Sequence, residues 1–132
     1  MPAKTAAQMV LEAKQRVENL TVEQVAAELE RGDTLLLDVR EPGEQDQTGK
    51  IPGSIATPRG MLEFWADPSS PYHRSELQPD RRIIIHCASG GRSALAADTL
   101  QQMGYTNVAH LEGGIQAWKN AGQPVEQQAS ES

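Results

Sequence analysis

The chain has 132 residues, which is close to the commonest size for one domain and too short for two ordinary hydrophobic cores. Its 12 basic and 18 acidic residues give a net charge of −6, which argues against a nucleic-acid partner or an anionic membrane surface. The single cysteine excludes an internal disulfide, and no apolar run approaches the ~20 residues that span a bilayer. Because residues 1–20 also lack the apolar core of a signal peptide, we expect a cytoplasmic protein with no membrane partner.

Apolar residues near the amino terminus recur at helical spacing. They are Ala6, Val10, Ala13, Val17 and Leu20. Their separations of four, three, four and three residues predict one helix with an apolar stripe, and we interpret residues 1–20 as an N-terminal helical extension. Thr21 followed by Gln24 forms a capping-box pattern, so a second helix is predicted from about Val22, and Gly32 is a suitable residue to end it.

The rest of the chain alternates between apolar strand patterns and helical patterns. Four strands are predicted, at residues 34–40, 54–57, 82–87 and 107–111. Helical patterns follow at residues 61–65, 92–103 and 114–121, and the remainder of the proline-rich segment 41–80 is interpreted as loops. This order predicts a small α/β domain over residues 21–125, with a mostly parallel sheet covered by helices on both faces. Residues 126–132 are polar and are interpreted as a flexible tail.

The stretch "IIIHCASGGRS", residues 83–93, contains the only cysteine of the chain, Cys87. This thiol lies at the carboxyl end of a predicted strand and just before a helix, where reactive groups of α/β sheets collect. Two glycines allow the backbone amides of the loop to turn toward the sulfur, while the helix dipole and Arg92 add positive potential. All of these features favour the thiolate, so we predict a nucleophile; an inert buried thiol is the alternative.

Three separated segments resemble one known family. "HCASGGRS" resembles the active-site loop of the rhodanese-like sulfurtransferases, and "LLLDVREPGEQDQTGKIPGSIATPRG" resembles the segment that this family carries upstream. "MGYTNVAHLEGGIQAWKNAGQPV" is similar to its closing segment, so the resemblance covers about residues 21–125 in the family order. The chain departs from the family pattern at Lys50, where a histidine is usual; we expect no catalytic consequence at this turn position.

The resemblance implies a rhodanese-like fold and a thiosulfate sulfurtransferase-type enzyme. Cys87 would take a sulfane sulfur from a donor such as thiosulfate and pass it from a persulfide to cyanide or a thiol. The loop residues expected to bind the substrate are Ala88, Ser89, Gly90, Gly91, Arg92 and Ser93. Because no second cysteine is present, the acceptor must come from outside the chain, and an acceptor protein is one candidate partner. No cofactor is expected, and the three histidines have no metal-ligand spacing.

Two other functions compete with sulfur transfer. Cysteine-dependent phosphatases and arsenate reductases of related type have five residues between cysteine and arginine, whereas four lie between Cys87 and Arg92. We expect the shorter loop to fit a single sulfur atom better than a tetrahedral oxyanion. A non-catalytic binding or regulatory module of the same fold is the other alternative, and it would have no need of a polarised thiol.

Three residues outside the loop are also candidates for the site. Asp38 and Arg40 follow the first strand of the domain, and we interpret them as an ion pair that supports the active-site loops. Arg59 is considered as a further contact to an anionic donor at the rim of the site, with simple solvation of the surface as the alternative.

Overall fold

The computed structural model describes residues 3–127, and its centre is a five-stranded sheet. The strands are β1 (Glu18–Leu20), β2 (Leu35–Asp38), β3 (Ile55–Ala56), β4 (Ile83–His86) and β5 (Val108–Leu111). They lie in the order β1-β5-β4-β2-β3, and every neighbouring pair is parallel. The predicted α/β class with a small parallel sheet is confirmed.

Helices connect the strands and cover both faces of the sheet. They are α1 (Ala6–Arg16), α2 (Val22–Arg31), α3 (Pro42–Thr48), α4 (Leu62–Ala66), α5 (Gly91–Gln102) and α6 (Gly114–Asn120). Because successive side chains of a strand point to opposite faces, Leu35 and Leu37 pack in the same cluster as Leu100 of α5. Leu36, between them, packs in a second cluster with Trp118 of α6. The alternation explains why the strands read as continuous apolar runs.

The start of α2 follows the predicted capping pattern. The Thr21 side chain accepts a hydrogen bond from the Gln24 amide at 3.2 Å, and the Gln24 side chain accepts one from the Thr21 amide at 2.8 Å. At the other end, Gly32 caps the helix in the left-handed conformation, with φ of 84°. Both ends of this helix were therefore predictable from local sequence.

The predicted helical extension over residues 1–20 is wrong at its carboxyl end. Helix α1 stops at Arg16, Val17 is extended, and β1 adds a parallel edge strand beside β5. Val17 and Leu20 are buried in the two different core clusters, one on each side of the sheet. Their spacing imitates a helix, but the backbone hydrogen bonds and the core that a sheet edge offers favour the strand. Helix α1 itself packs against α5.

Helix α3 lies in the segment that the sequence analysis interpreted as loops. Pro42 occupies its first turn, and Glu41 and Glu44 form a capping box at its amino end. Proline at the first helical position with an acidic residue two places later is a recognisable signal for a helix start. Its polar composition, which hides any apolar stripe, is the reason for the wrong prediction.

The carboxyl-terminal segment is described only in part. Of the predicted tail, residues 128–132 lie outside the described residues. Glu126 forms two backbone hydrogen bonds with Lys50, of 2.8 and 2.9 Å, so this residue is bound to the domain and not part of a flexible tail. Between residues 3 and 127, no helix combines the length and apolar character needed to cross a membrane.

Candidate active site

Cys87 lies in the turn that joins β4 to α5. Gly90 adopts the left-handed conformation with φ of 109°, which turns the chain so that backbone amides face the sulfur. The amide of Gly90 lies 3.1 Å from Cys87 Sγ, and the amide of Ser93, in the first turn of α5, lies 3.4 Å away. The sulfur is thus held in a cradle of N–H groups at a helix amino terminus, as the sequence predicted.

The surroundings of Cys87 favour its ionised form. Burial by itself raises the pKa of the thiol, and the whole residue is 1% exposed. Hydrogen bonds of the sulfur with the Ser93 side chain and with the amides of Ser93, Gly90 and Ser89 outweigh burial, so the pKa of Cys87 lies below its ordinary value. The loop therefore favours the thiolate, which is the reactive form of cysteine.

The base of the Cys87 loop is attached to helix α6. The Ile115 amide donates to the Cys87 carbonyl at 2.9 Å, and the Gln116 amide donates to the Ala88 carbonyl at 3.1 Å. These contacts require close approach of the two backbones, which Gly114 permits. With φ of 62°, a Cβ atom at this position would lie 2.5 Å from the Ala88 carbonyl and 2.6 Å from the Cys87 carbonyl oxygen. Gly114 is therefore part of the backbone support of the Cys87 loop.

Arg92 is held by an acidic residue that the sequence analysis did not select. Its guanidinium donates two hydrogen bonds to the Glu44 carboxylate, at 2.7 and 2.9 Å, and the two side chains are 38% and 31% exposed. This contact lowers the pKa of Glu44 and raises that of Arg92. The charge of Cys87 also raises the pKa of Arg92. An anion that bound this arginine would have to share it with Glu44 or displace Glu44.

Asp38 and Arg40 form a buried ion pair behind the loop. Arg40 Nη2 lies 2.8 Å from Asp38 Oδ2, and each side chain is only 1% exposed. Arg40 also donates to the Thr48 hydroxyl at 2.7 Å and to the Gly49 carbonyl at 2.8 Å, at the end of α3. This network attaches α3, and with it the Glu44 partner of Arg92, to the end of β2.

Ser93 connects the sulfur to a histidine on a neighbouring strand. Its hydroxyl oxygen lies 3.5 Å from Cys87 Sγ and 2.9 Å from Nδ1 of His110 in β5. Ser93 and His110 are both fully buried. The sequence gives no local signal for this contact, since 17 positions separate the two residues and only the pairing of β4 with β5 brings them together.

Arg59 is placed apart from these groups. Its guanidinium donates to Glu63 at 2.9 Å and to the Thr99 hydroxyl at 3.2 Å. Neither Glu63 nor Thr99 belongs to the Cys87 loop. The role of Arg59 in donor binding stays a prediction.

A cavity of about 260 Å³ opens beside the loop. It is lined by Glu44, Gln47, Thr48, Ala88, Ile115, Gln116 and Lys119. Since one water takes up about 30 Å³ in the liquid, the space is large enough for a small anion or the reactive end of a thiol. Its position next to Ala88 and Glu44 makes it a candidate route to the loop.

Comparison with known proteins places these features in a family context. The sequence matches the model of the rhodanese-like domain over residues 21–121. A protein of Allochromatium vinosum named sulfurtransferase is 40% identical over 93 residues, which are 70% of this chain and 78% of that protein. Some other matching relatives are longer, and the chain spans only 21 to 36% of them.

Two solved structures share the fold over almost the whole chain. A Rhodopseudomonas palustris protein of unknown function, called a possible tyrosine phosphatase, is 45% identical with a TM-score of 0.88; the match covers 96% of this chain and 99% of that one. The polysulfide-sulfur transferase homodimer of Wolinella succinogenes is 28% identical with a TM-score of 0.74, covering 95% and 88% of the two chains.

Proposed function

This chain belongs to the rhodanese-like family, and we propose that it moves a sulfane sulfur from thiosulfate to cyanide or a thiol through a persulfide on Cys87. The family match and the sulfurtransferase names of relatives support sulfur transfer in general. The donor, the acceptor and the persulfide are the proposal. The observation that carries it is the cradle of amides around a thiol whose pKa is lowered despite burial.

The first half-reaction loads the sulfur onto Cys87. The thiolate attacks the sulfane sulfur of thiosulfate, a new S–S bond forms, and sulfite leaves with the electron pair of the broken S–S bond. Amides of Ser89, Gly90 and Ser93 would stabilise negative charge on the persulfide as they do on the thiolate. Arg92 would attract the anionic donor, in competition with its partner Glu44.

The second half-reaction returns the enzyme to its starting state. An acceptor nucleophile attacks the outer sulfur, and Cys87 leaves as a thiolate. Because the chain has one cysteine, no internal thiol is available to discharge the persulfide. A small molecule or an acceptor protein must therefore perform this step, and the cavity beside Ala88 is its proposed route.

A mass measurement tests this proposal. The protein is incubated with thiosulfate or with polysulfide, freed of excess reagent and weighed intact, and cyanide is then added to release thiocyanate. We expect a gain of one sulfur atom that cyanide removes, and no gain in Cys87→Ser. An equal gain in Cys87→Ser, or none in the wild type with either donor, would contradict the mechanism.

The name of the Rhodopseudomonas relative makes phosphatase activity a necessary comparison. The same preparation is assayed for hydrolysis of an aryl phosphate that depends on Cys87. The four-residue spacing between Cys87 and Arg92 predicts no such hydrolysis. Sulfur loading without hydrolysis supports the transferase, whereas hydrolysis without loading supports the phosphatase alternative.

A further inference from the structure

A buried chain of polar side chains leads from the Cys87 sulfur to the edge strand of the sheet. Cys87 Sγ lies 3.5 Å from Ser93 Oγ, which lies 2.9 Å from His110 Nδ1. On the other side of the ring, His110 Nε2 lies 2.7 Å from Oδ1 of Asn19 in β1. Three of the four groups are buried, and Asn19 closes the chain at the surface.

The direction of this hydrogen-bond chain follows from Asn19. Its side-chain nitrogen lies 2.9 Å from the Lys14 carbonyl and 3.1 Å from the Val17 carbonyl. Carbonyl oxygens only accept, so the NH2 group must face them and the amide oxygen must face His110. His110 Nε2 therefore carries a hydrogen.

The state of His110 then fixes the Ser93 hydroxyl. Burial lowers the pKa of His110 to about 4, against the charge of Glu112 and with the help of Lys14, so the resting ring is neutral. A neutral ring with its hydrogen on Nε2 has a bare Nδ1, which accepts the hydroxyl hydrogen of Ser93. The serine oxygen is left to accept from the Cys87 thiol, whose S–H is directed toward it.

We propose that Ser93 and His110 form a proton relay that carries the Cys87 thiol proton into the protein interior. Asn19 sets the direction of the relay by accepting the Nε2 hydrogen of His110. The thiol proton passes to Ser93 Oγ while the hydroxyl proton of Ser93 passes to His110 Nδ1. The products are a thiolate, an intact serine and an imidazolium, so protons and charge balance. Since the pKa of the ring beside the neutral thiol is about 4, the ring takes the proton only as the thiolate forms, because that negative charge raises the pKa of the ring. His110 is a positioning residue because it acts on the sulfur only through Ser93.

The proton shift reverses the hydrogen bonds at the sulfur. Imidazolium Nδ1–H donates to Ser93 Oγ, and the serine hydroxyl is free to donate to the thiolate beside the amides of Gly90 and Ser93. Around the ring, Glu112 lies 3.7 Å from Nε2 and favours the imidazolium, whereas Lys14 opposes it. Glu112 and Lys14 also form an ion pair of 2.5 Å with each other, and of the two Glu112 has the larger effect on the pKa of the ring.

The relay concerns the nucleophile of the proposed sulfur transfer, and its test needs no sulfur donor. Cys87 is the only thiol, so the ultraviolet absorbance of its thiolate, read against a Cys87→Ala baseline, gives its apparent pKa directly. His110→Gln keeps a hydrogen-bonding side chain but cannot take the proton. We expect Ser93→Ala and His110→Gln each to raise the apparent pKa by at least about one unit, because an opposite charge near a thiolate lowers its pKa by one to three units.

A double variant and a control variant test whether the change in pKa comes from the relay. Since both residues serve one chain, Ser93→Ala with His110→Gln should raise the apparent pKa no further than Ser93→Ala alone. The same substitution at a histidine outside the Cys87 loop, His73→Gln, should leave the apparent pKa unchanged, because His73 Nδ1 contacts the Trp65 carbonyl at 2.9 Å. An unchanged or lowered apparent pKa in His110→Gln would overturn the relay, because His110 would then only compete with the sulfur for the Ser93 hydroxyl.

A second measurement leaves His110 in place and decides the matter if His110→Gln does not fold. The ring nitrogens of His110 are titrated by NMR in the wild type and in Cys87→Ala. The relay predicts a higher His110 pKa when the thiolate is present, and equal values would refute it. If the relay is observed in a protein that takes no sulfur from thiosulfate or polysulfide, the proposed function fails while the relay stands.

Discussion

Gly114→Ala should damage the candidate site through the backbone of the Cys87 loop. Gly114 has no side chain to contribute to the site, but its α-carbon faces the carbonyls of Cys87 and Ala88. An alanine there meets the Ala88 carbonyl at 2.5 Å, whereas ordinary carbon contacts need about 3.5 Å. Backbone cannot rotate out of the way, so the loop has to move by about 1 Å from α6.

The cost has two parts that a matched variant separates. The left-handed conformation costs an alanine about 1–2 kcal/mol, and forced repacking adds about 1–3 kcal/mol. Gly122 has a similar φ of 79° but nothing within 4 Å of its would-be Cβ, so Gly122→Ala suffers only the first part. The free energy of unfolding should fall by about 2–5 kcal/mol in Gly114→Ala and by about 1–2 kcal/mol in Gly122→Ala.

The functional effect follows from the hydrogen bonds to the sulfur. A shift of about 1 Å would stretch the contacts from Gly90 and Ser93, now 3.1 and 3.4 Å, beyond useful length. A hydrogen bond to a charged group is worth about 1.5–3 kcal/mol, so losing one raises the pKa of Cys87 by about one unit or more. Thiolate absorbance and the rate of sulfur loading, measured below the denaturation midpoint, should show this in Gly114→Ala only. Equal values in folded Gly114→Ala and Gly122→Ala would refute the reasoning.

Three further predictions concern the charged groups around the loop. Glu44→Gln frees the Arg92 guanidinium; because the pair is partly exposed, stability should fall by less than about 1 kcal/mol, while KM for thiosulfate should drop roughly fivefold. A steady-state assay checks this, and an unchanged or higher KM would show that Arg92 does not bind the donor. Arg40→Leu leaves the buried Asp38 carboxylate unpaired and should cost about 3–5 kcal/mol in urea unfolding, whereas a loss below 1 kcal/mol would show that the network is dispensable. Burial alone would raise the pKa of Asp38, but hydrogen bonds from Arg40 and Gln45 bring it below its ordinary value. Its ionised form therefore stabilises the fold above its unfolded pKa, and that contribution disappears as the pH falls through the lower folded pKa. Asp38→Asn should reduce this loss of stability at low pH. An unchanged loss would show that other carboxylates are responsible for it.

Elements with strong local signals were predictable along the chain. The capping box at Thr21 and the left-handed Gly32 define both ends of α2. The apolar runs 34–40 and 82–87 became central strands, and Cys87 lies in the turn that the glycines indicated. These features depend on backbone preferences and hydrophobic patterns within a few residues, which a sequence displays directly.

Elements that depend on long-range partners were missed. The edge strand β1 exists because β5 lies beside it, and without that partner the apolar spacing from Ala6 to Leu20 reads as a helix. Glu44 had its own local signal in the capping box of α3, but its contact with Arg92 spans 48 positions. His110 reaches Ser93 only because parallel pairing brings β5 next to β4.

The sequence by itself determined the α/β class, the place of Cys87 and the amide-lined turn, because each is a property of consecutive residues. Tertiary structure alone decided which groups surround Cys87. It gave Arg92 an acidic partner, placed Gly114 against the loop backbone and joined Ser93 to His110 and Asn19. The physical reason is that charge pairing, close approach and proton transfer act over a few ångströms between residues that the chain holds far apart, and only folding makes them neighbours.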